Sequence, residues 1–462
     1  MNFAHWVCKI IAVNSGIIVK VRYKLRIAQR LFCGIFESMS ILKCIYDTGS
    51  AFAKACLPVA GFFNKKIKLG SQGRDNSWHI LDSKIKHTVP KIWVHVASLG
   101  EYEQIVPVLE KLNRKKYQVV LTFFSPSGYE NKRDTKLADI VCYLPIDAVS
   151  CVNKFISLVD PSLAIMVKYE FWPNYLNTLN EKHVPTILVS GIFRKNMSFH
   201  KWYGSWMKSS LEAFDHFFLQ NESSLQELAA LGFENASVSG DTRFDRASQL
   251  IEHDNSIPLL KEFIDGHPCL VVGSSWPADI EIMKSWLEEN NISKRCKVII
   301  APHEVGGGKP DQLIDSLNYS PLKWTSIQGG EMHDLKNTST LIIDTIGLLT
   351  KAYSYADVAY VGGGMGTSGL HNILEAATYG VPVVIGKNYE KYPEAGKLED
   401  LGGLFSVKNS AKFTDIANKL FEDDFLRDKT GMICGHWINS NTGATDQVLE
   451  YLKTIDEEFI IF

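Results

Sequence analysis

From Lys91 onward, short runs rich in β-branched and aromatic residues alternate with longer stretches of helical periodicity. This alternation restricts the chain to folds built on parallel sheets with crossover helices. In the first half the runs predict strands at Ile92–Ala97, Gln118–Phe124, Ile140–Leu144, Leu163–Val167, Pro185–Val189, His216–Leu219 and Ala236–Ser239, with helices between them such as Gln104–Arg114 and Phe171–Lys182. A polar stretch, Gly240–His267, separates these from a second series at Cys269–Gly273, Lys297–Ala301, Thr340–Ile343, Val358–Val361 and Val381–Ile385. A chain of 462 residues exceeds one ordinary core and fits two such domains plus an appendage. The expected organisation is an N-terminal extension and membrane-associating segment over 1–68, a Rossmann-like domain over 69–245 and a second over 246–462. Open α/β sheets bind ligands at the C-terminal ends of their strands, so two of them facing each other place a cleft between those ends.

Composition removes several classes. A formal net charge of -2 gives no global reason to expect nucleic acid as the partner. The nine cysteines are scattered and contain no C-x-x-C, which argues for a reducing compartment and against both a disulfide framework and a zinc site. The N-terminus differs from the rest. Lys9, Lys20, Arg22, Lys24, Arg26 and Arg30 all precede the first acidic residue, Glu37. The mostly apolar stretch from Ile41 to Phe63 is interrupted by Lys43, Asp47 and Lys54 and followed by Lys65, Lys66 and Lys68. Those charges are too many for a spanning helix, whereas an amphipathic segment in the membrane interface fits them; a core helix is the competing reading.

The segment from Val361 to Pro382 carries the most information. A strand runs into Gly362-Gly-Gly-Met-Gly-Thr-Ser-Gly369, and a helix is expected to begin near His371 and to end at Gly380. Free N–H groups and the positive dipole end at such a helix start suit a phosphate. Asn372 and Glu375 sit three apart on one face of the first turn, where a carboxylate can accept hydrogen bonds from both ribose hydroxyls. In the first half, Ile92–Ala97 leads into Ser98-Leu-Gly-Glu101. That puts Glu101 at a strand end, where a carboxylate can take the proton from an attacking hydroxyl and burial would raise its pKa. A plain N-terminal glutamate that complements the helix dipole is the alternative.

These residues together resemble the Kdo transferase family, the 3-deoxy-D-manno-octulosonic acid transferases of lipopolysaccharide synthesis. The matching blocks are His95–Glu101, Thr122–Gly128, Tyr143–Asp147, Glu170–Asn174, Gly240–Asp245, Asp344–Gly347 and the glycine turn through Glu375. The resemblance implies a GT-B fold, a metal-independent glycosyltransferase with no cofactor, CMP-Kdo as donor and a lipid A precursor (lipid IVA) as acceptor. It also implies work at the cytoplasmic face of the inner membrane. Carried over residue by residue, Glu101 is the general base and Arg243 a basic group stabilising the transition state. Pro302 and His303, then Ile346, Gly347 and Leu348, then Asn372, Ile373, Leu374 and Glu375 bind CMP.

Two departures stand out. Family members commonly carry Pro-Arg-His where this chain has Ala301-Pro302-His303, so an arginine is missing. Many also have two glutamates before Trp-Pro-Asn; here the first is Lys168, which either binds an anionic substrate group or is an ordinary structural or surface lysine, and Glu170 remains. The basic, aromatic stretch Arg194–Lys208 fits either a solvated face or the acceptor's phosphates. Trp202 and Trp206 read as packing residues, and Asp245 as a structural tie at the domain crossover. A GT-B transferase using a UDP-sugar, a UDP-sugar epimerase of the same fold and a non-catalytic sugar-nucleotide binder are the competing functions.

Overall fold

The computed structural model describes residues 41–328 and 334–461. The basic cluster Lys9–Arg30, and with it most of the expected N-terminal extension, lies outside the described residues. The chain forms two compact units, residues 1–240 with 446–462, and residues 241–445.

The first unit carries seven parallel strands: β1 (Lys91–Val96), β2 (Gln118–Phe123), β3 (Ile140–Tyr143), β4 (Pro161–Val167), β5 (Thr186–Gly191), β6 (His216–Leu219) and β7 (Ala236–Val238). Their order is β3-β2-β1-β4-β5-β6-β7. Every residue of β1 is buried, because helices cover both faces. Ile92, Val94 and Val96 pack on one side of the sheet and Trp93 on the other, as the two-residue period requires. The second unit also carries seven parallel strands: β8 (Cys269–Ser275), β9 (Lys297–Pro302), β10 (Leu322–Lys323), β11 (Thr340–Ile342), β12 (Val358–Val361), β13 (Val383–Gly386) and β14 (Leu404–Val407). The order there is β10-β11-β9-β8-β12-β13-β14. Each sheet therefore reverses its winding once, between β1 and β4 in the first and between β8 and β12 in the second. Crevices open beyond the strand ends at such switch points.

The expected domain boundaries differ from the two units at residue 240 and at the C-terminus. The last residues do not stay with the second unit, because the helix Ala444–Ile455 buries Val448, Leu449 and Leu452 in the first unit's core. Ile460 then bridges Leu112 in antiparallel fashion, and the Tyr117 hydroxyl donates to Asp456. Asp245 pins the start of that helix: it accepts from the N–H of Gly443 and from the N–H and hydroxyl of Thr445. This is the structural role its sequence position suggested.

Residues 41–60 are helical and partly docked on the first unit. The Tyr46 hydroxyl donates to Asp147 at 2.7 Å, the Asn174 amide donates to Asp47 at 2.9 Å, and the Tyr46 ring lies 5.1 Å from that of Trp206. The rest of the helix and the turn after it show apolar side chains outward: Ile45, Phe52 and Val59 at seven-residue spacing, then Phe62 and Phe63. Trp206 packs as expected, but Trp202 is 80% exposed. Among the described residues no helix is long and apolar enough to cross a membrane.

Candidate functional site

In the first unit the switch point gathers ionisable groups. β1 ends at Val96, and the helix Leu99–Lys111 starts three residues later with Glu101 in its first turn. The Glu101 carboxylate turns back to accept the Ala97 N–H at 2.5 Å and is only 7% exposed. Burial, followed by the negative charge of Glu170, pushes it up to about 8, against the pull of the Ala97 N–H and of the Lys168 ammonium. Glu170 is itself buried and held in place, accepting from the Trp172 indole at 2.6 Å and facing His95 Nε2 at 2.8 Å. His95 is fully buried and anchored through Nδ1 to the Thr122 hydroxyl at 2.8 Å.

Lys168 is the first residue beyond β4, and its φ of 63° is a left-handed conformation that a lysine adopts only at a cost of roughly 1–3 kcal/mol. Its N–H donates to the Val189 carbonyl across the sheet, which helps hold the bend. Glu101, Lys168 and Glu170 are thus brought together by the ends of two neighbouring strands.

The switch point of the second unit is built from glycines and aromatic rings. β8 runs into Trp276, and the helix Pro277–Ser293 follows. Asp279, fully buried, accepts from the N–H groups of Trp276 and Gly363 and from the Tyr360 hydroxyl, each at 2.9 Å. One carboxylate therefore ties the end of β8 to the glycine turn after β12. Glycine is required there: a Cβ on Gly362 would lie 2.3 Å from the Ser274 carbonyl oxygen, and Gly363 has φ +93°. Trp276 stacks on His303 with ring centroids 4.6 Å apart, His303 lies 4.5 Å from the His371 ring, and the Trp276 indole donates to His371 Nε2 at 3.3 Å. Burial, and then His303, lower the His371 pKa to about 4, so this imidazole is neutral near pH 7. Trp276, Pro302 and His303 also line a cavity of about 250 Å³ together with Lys284 and Lys309.

Glu375 lies in the first turn of a helix that begins at Leu374, three residues later than expected, and spans only Leu374–Ala377. The Asn372 amide donates to Glu375 at 3.2 Å and the Thr350 hydroxyl at 3.5 Å. Thr350 belongs to the short helix Leu349–Ala352, which directly follows Ile346, Gly347 and Leu348. Gly347 has φ +95° and Ile346 is 88% exposed. Ile373 and Leu374 bury their side chains in the core, which leaves only their backbone for a ligand.

Arg243 makes its side-chain contacts within the second unit. It falls in the second unit and not, as the expected boundary had it, in the first. Its guanidinium donates to Asp241 at 2.8 and 3.0 Å and to Glu394 at 3.0 Å. Although burial works against the charge, those two carboxylates hold its pKa above the usual arginine value.

Four groups escaped the sequence reading. Trp276 gave a signal, an indole between a strand and a Pro-started helix, that only its stack on His303 makes meaningful. Ser275, Thr345 and Tyr169 have buried hydroxyl oxygens without a hydrogen-bond partner among the described residues, and all three follow or end strands at a C-terminal sheet edge. Isolated serine, threonine or tyrosine residues carry no pattern in a sequence.

Residues 68–246 match the model of the 3-deoxy-D-manno-octulosonic-acid transferase (kdotransferase) family. A 3-deoxy-D-manno-octulosonic acid transferase of Aquifex aeolicus is 27% identical over 343 residues, covering 73% of this chain and 87% of that protein. Its counterpart in Haemophilus influenzae is 26% identical over 393 residues, with 78% and 86% covered. Among solved structures, the S. aureus MnaA–UDP complex aligns with a TM-score of 0.53 at 13% identity over 80% of this chain and 98% of that one. UDP-GlcNAc 2-epimerase from Neisseria meningitidis bound to UDP-GlcNAc aligns at 0.52, with 15% identity and 79% and 100% covered. At such identities these structures establish the two-sheet α/β architecture alone, while the family model over residues 68–246 and the sequence relatives carry the functional likeness: the chain is similar to the Kdo transferases.

Proposed function

We propose that this protein transfers Kdo from CMP-Kdo to a lipid A precursor of the lipid IVA class, with inversion, in lipopolysaccharide core synthesis. The observation that carries the mechanism is the buried Glu101 carboxylate at the switch point of the first sheet, in the part of the chain that matches the family. Glu101 accepts the proton of the acceptor's hydroxyl as that oxygen bonds to the anomeric carbon of Kdo. The bond from that carbon to the phosphate oxygen breaks, and CMP leaves with the electron pair. Raised proton affinity suits a base that must act on an alcohol, provided the pH is high enough to keep it ionised.

The second unit holds the donor. Glu375, oriented by Asn372 and Thr350, takes the ribose hydroxyls. Pro302, His303 and the Ile346-Gly347-Leu348 segment border the nucleotide, and Ile373 and Leu374 contribute backbone. Lys168 offsets negative charge beside Glu101. Arg243 enters the reaction only if substrate draws it from Asp241 and Glu394. No metal or cofactor takes part in this scheme, so dipoles and cationic side chains meet the phosphate.

The apolar side chains shown by residues 45–63, with Lys54, Lys65, Lys66 and Lys68 beside them, suit an anionic membrane surface, which we assign to the cytoplasmic face of the inner membrane. CMP release from CMP-Kdo tests the proposal. It should require lipid IVA, persist in EDTA and fall about a thousandfold in Glu101→Gln; release that ignores the acceptor, or that stops on chelation, would contradict it.

A further inference from the structure

The residue after Lys168 has no part in the reaction as written, yet its surroundings are those of a binding group. The Tyr169 hydroxyl oxygen is closed to solvent and has no hydrogen-bond partner among the described residues. A buried hydroxyl with no protein partner has a donor and acceptor open to water, an ion or a ligand. Two cations flank its ring: Lys168 Nζ lies 5.4 Å from the ring centroid and the Arg194 guanidinium carbon 5.5 Å. Arg194 is exposed and lies just beyond β5, the strand next to β4. Burial, chiefly, raises the phenol's pKa, with Glu101 adding to it and Arg194 opposing it. The group is therefore protonated at neutral pH and can donate, and both the base and the guanidinium lie within its electrostatic reach.

We infer that Tyr169, Lys168 and Arg194 form an oxyanion subsite beside Glu101, which holds a carboxylate or phosphate group of one substrate during transfer. The inference rests on the reaction proposed above. Glu101 and Glu170 already place two carboxylates here, so a third anion is admitted only against cations and a directed donor. The phenol O–H supplies the donor and the two side chains the charge. Arg194, which lies over the ring, moves aside to let the anion reach the hydroxyl and then pairs with it.

Tyr169→Phe removes one oxygen and no existing hydrogen bond, so it should fold as the parent does; Arg194→Ala removes a cation from an exposed loop. Loss of a hydrogen bond to a charged group should raise the KM of one substrate about tenfold with kcat nearly unchanged. A rise for CMP-Kdo identifies an anionic group of the donor, and a rise for lipid IVA identifies an acceptor phosphate. Unchanged KM for both substrates, or a fall in kcat alone, would overturn the subsite. Sulfate titrated against tryptophan fluorescence reads the same place without turnover. It should bind more weakly to both variants than to the parent, and equal affinity would overturn the subsite even in a protein that transfers Kdo. Absence of transfer by the parent protein would count against the proposed reaction instead.

Discussion

At the switch point of the first sheet, Glu101, Glu170, Lys168 and His95 crowd ionisable groups into a buried space; at that of the second, the corresponding strand ends present glycines, an indole and imidazoles. Asp279, the buried charge at the second junction, is consumed internally by three donors, and His371 is kept neutral. Both sheets are parallel and seven-stranded, though their strand orders differ, and the electrostatics at the two switch points differ more. One strand edge is arranged to shift a proton affinity, and the other to let a backbone come close to a ligand while keeping its own charges occupied. In the proposed reaction, proton transfer falls to the first of these edges and donor holding to the second.

The largest effect that would break this division belongs to Glu101. Glu101→Gln should lower transfer about a thousandfold while leaving CMP affinity nearly intact, since general base catalysis contributes on that order. Single-turnover kinetics beside CMP titration check it, and a joint loss of both would show that the two edges are not independent. Next in size, Glu375→Ala should weaken CMP binding about 10- to 100-fold by removing charge-assisted contacts to the ribose, as read by calorimetry. Unchanged affinity would remove the ribose contact.

The pH dependence sharpens the contrast further. Glu101 acts as its anion, so kcat/KM should climb as pH rises and level off above about 8. Glu170→Gln removes the second-largest cause of the upward shift and should move that climb to lower pH. A climb that stays in place would exclude Glu170 from tuning the base. The smallest effect concerns neither edge. Phe62→Ser with Phe63→Ser should reduce cosedimentation with anionic vesicles several-fold, by roughly the hydrophobic contribution of two partly buried rings, and leave soluble CMP binding unaltered. Substitution is preferable to deletion, because Tyr46 and Asp47 tie the same segment to Asp147 and Asn174.

Much of this was legible before any coordinates. Twelve strands could be read because buried parallel strands are continuous β-branched runs; β10 and β14, at the two edges of the second sheet, are short and partly exposed and carry little of that signal. Glu101 and Glu375 were legible because each follows a strand end or glycine turn at a fixed offset. The return of 446–462 to the first unit was not, since an amphipathic helix does not reveal which core it covers. Nor was the pairing of Arg243 with Glu394, where partners lie 151 residues apart in sequence. The imidazole–indole stack of Trp276, His303 and His371 joins three separate loops, and only folding brings those rings into register.

Mass spectrometry of lipid IVA after incubation with the full chain and CMP-Kdo tests the central claim most directly. The expected product is the acceptor enlarged by whole Kdo residues, with an equal amount of CMP released and both forming about a thousandfold more slowly with Glu101→Gln. An acceptor recovered unchanged while CMP-Kdo is intact, or while a UDP-sugar is turned over instead, would contradict the account.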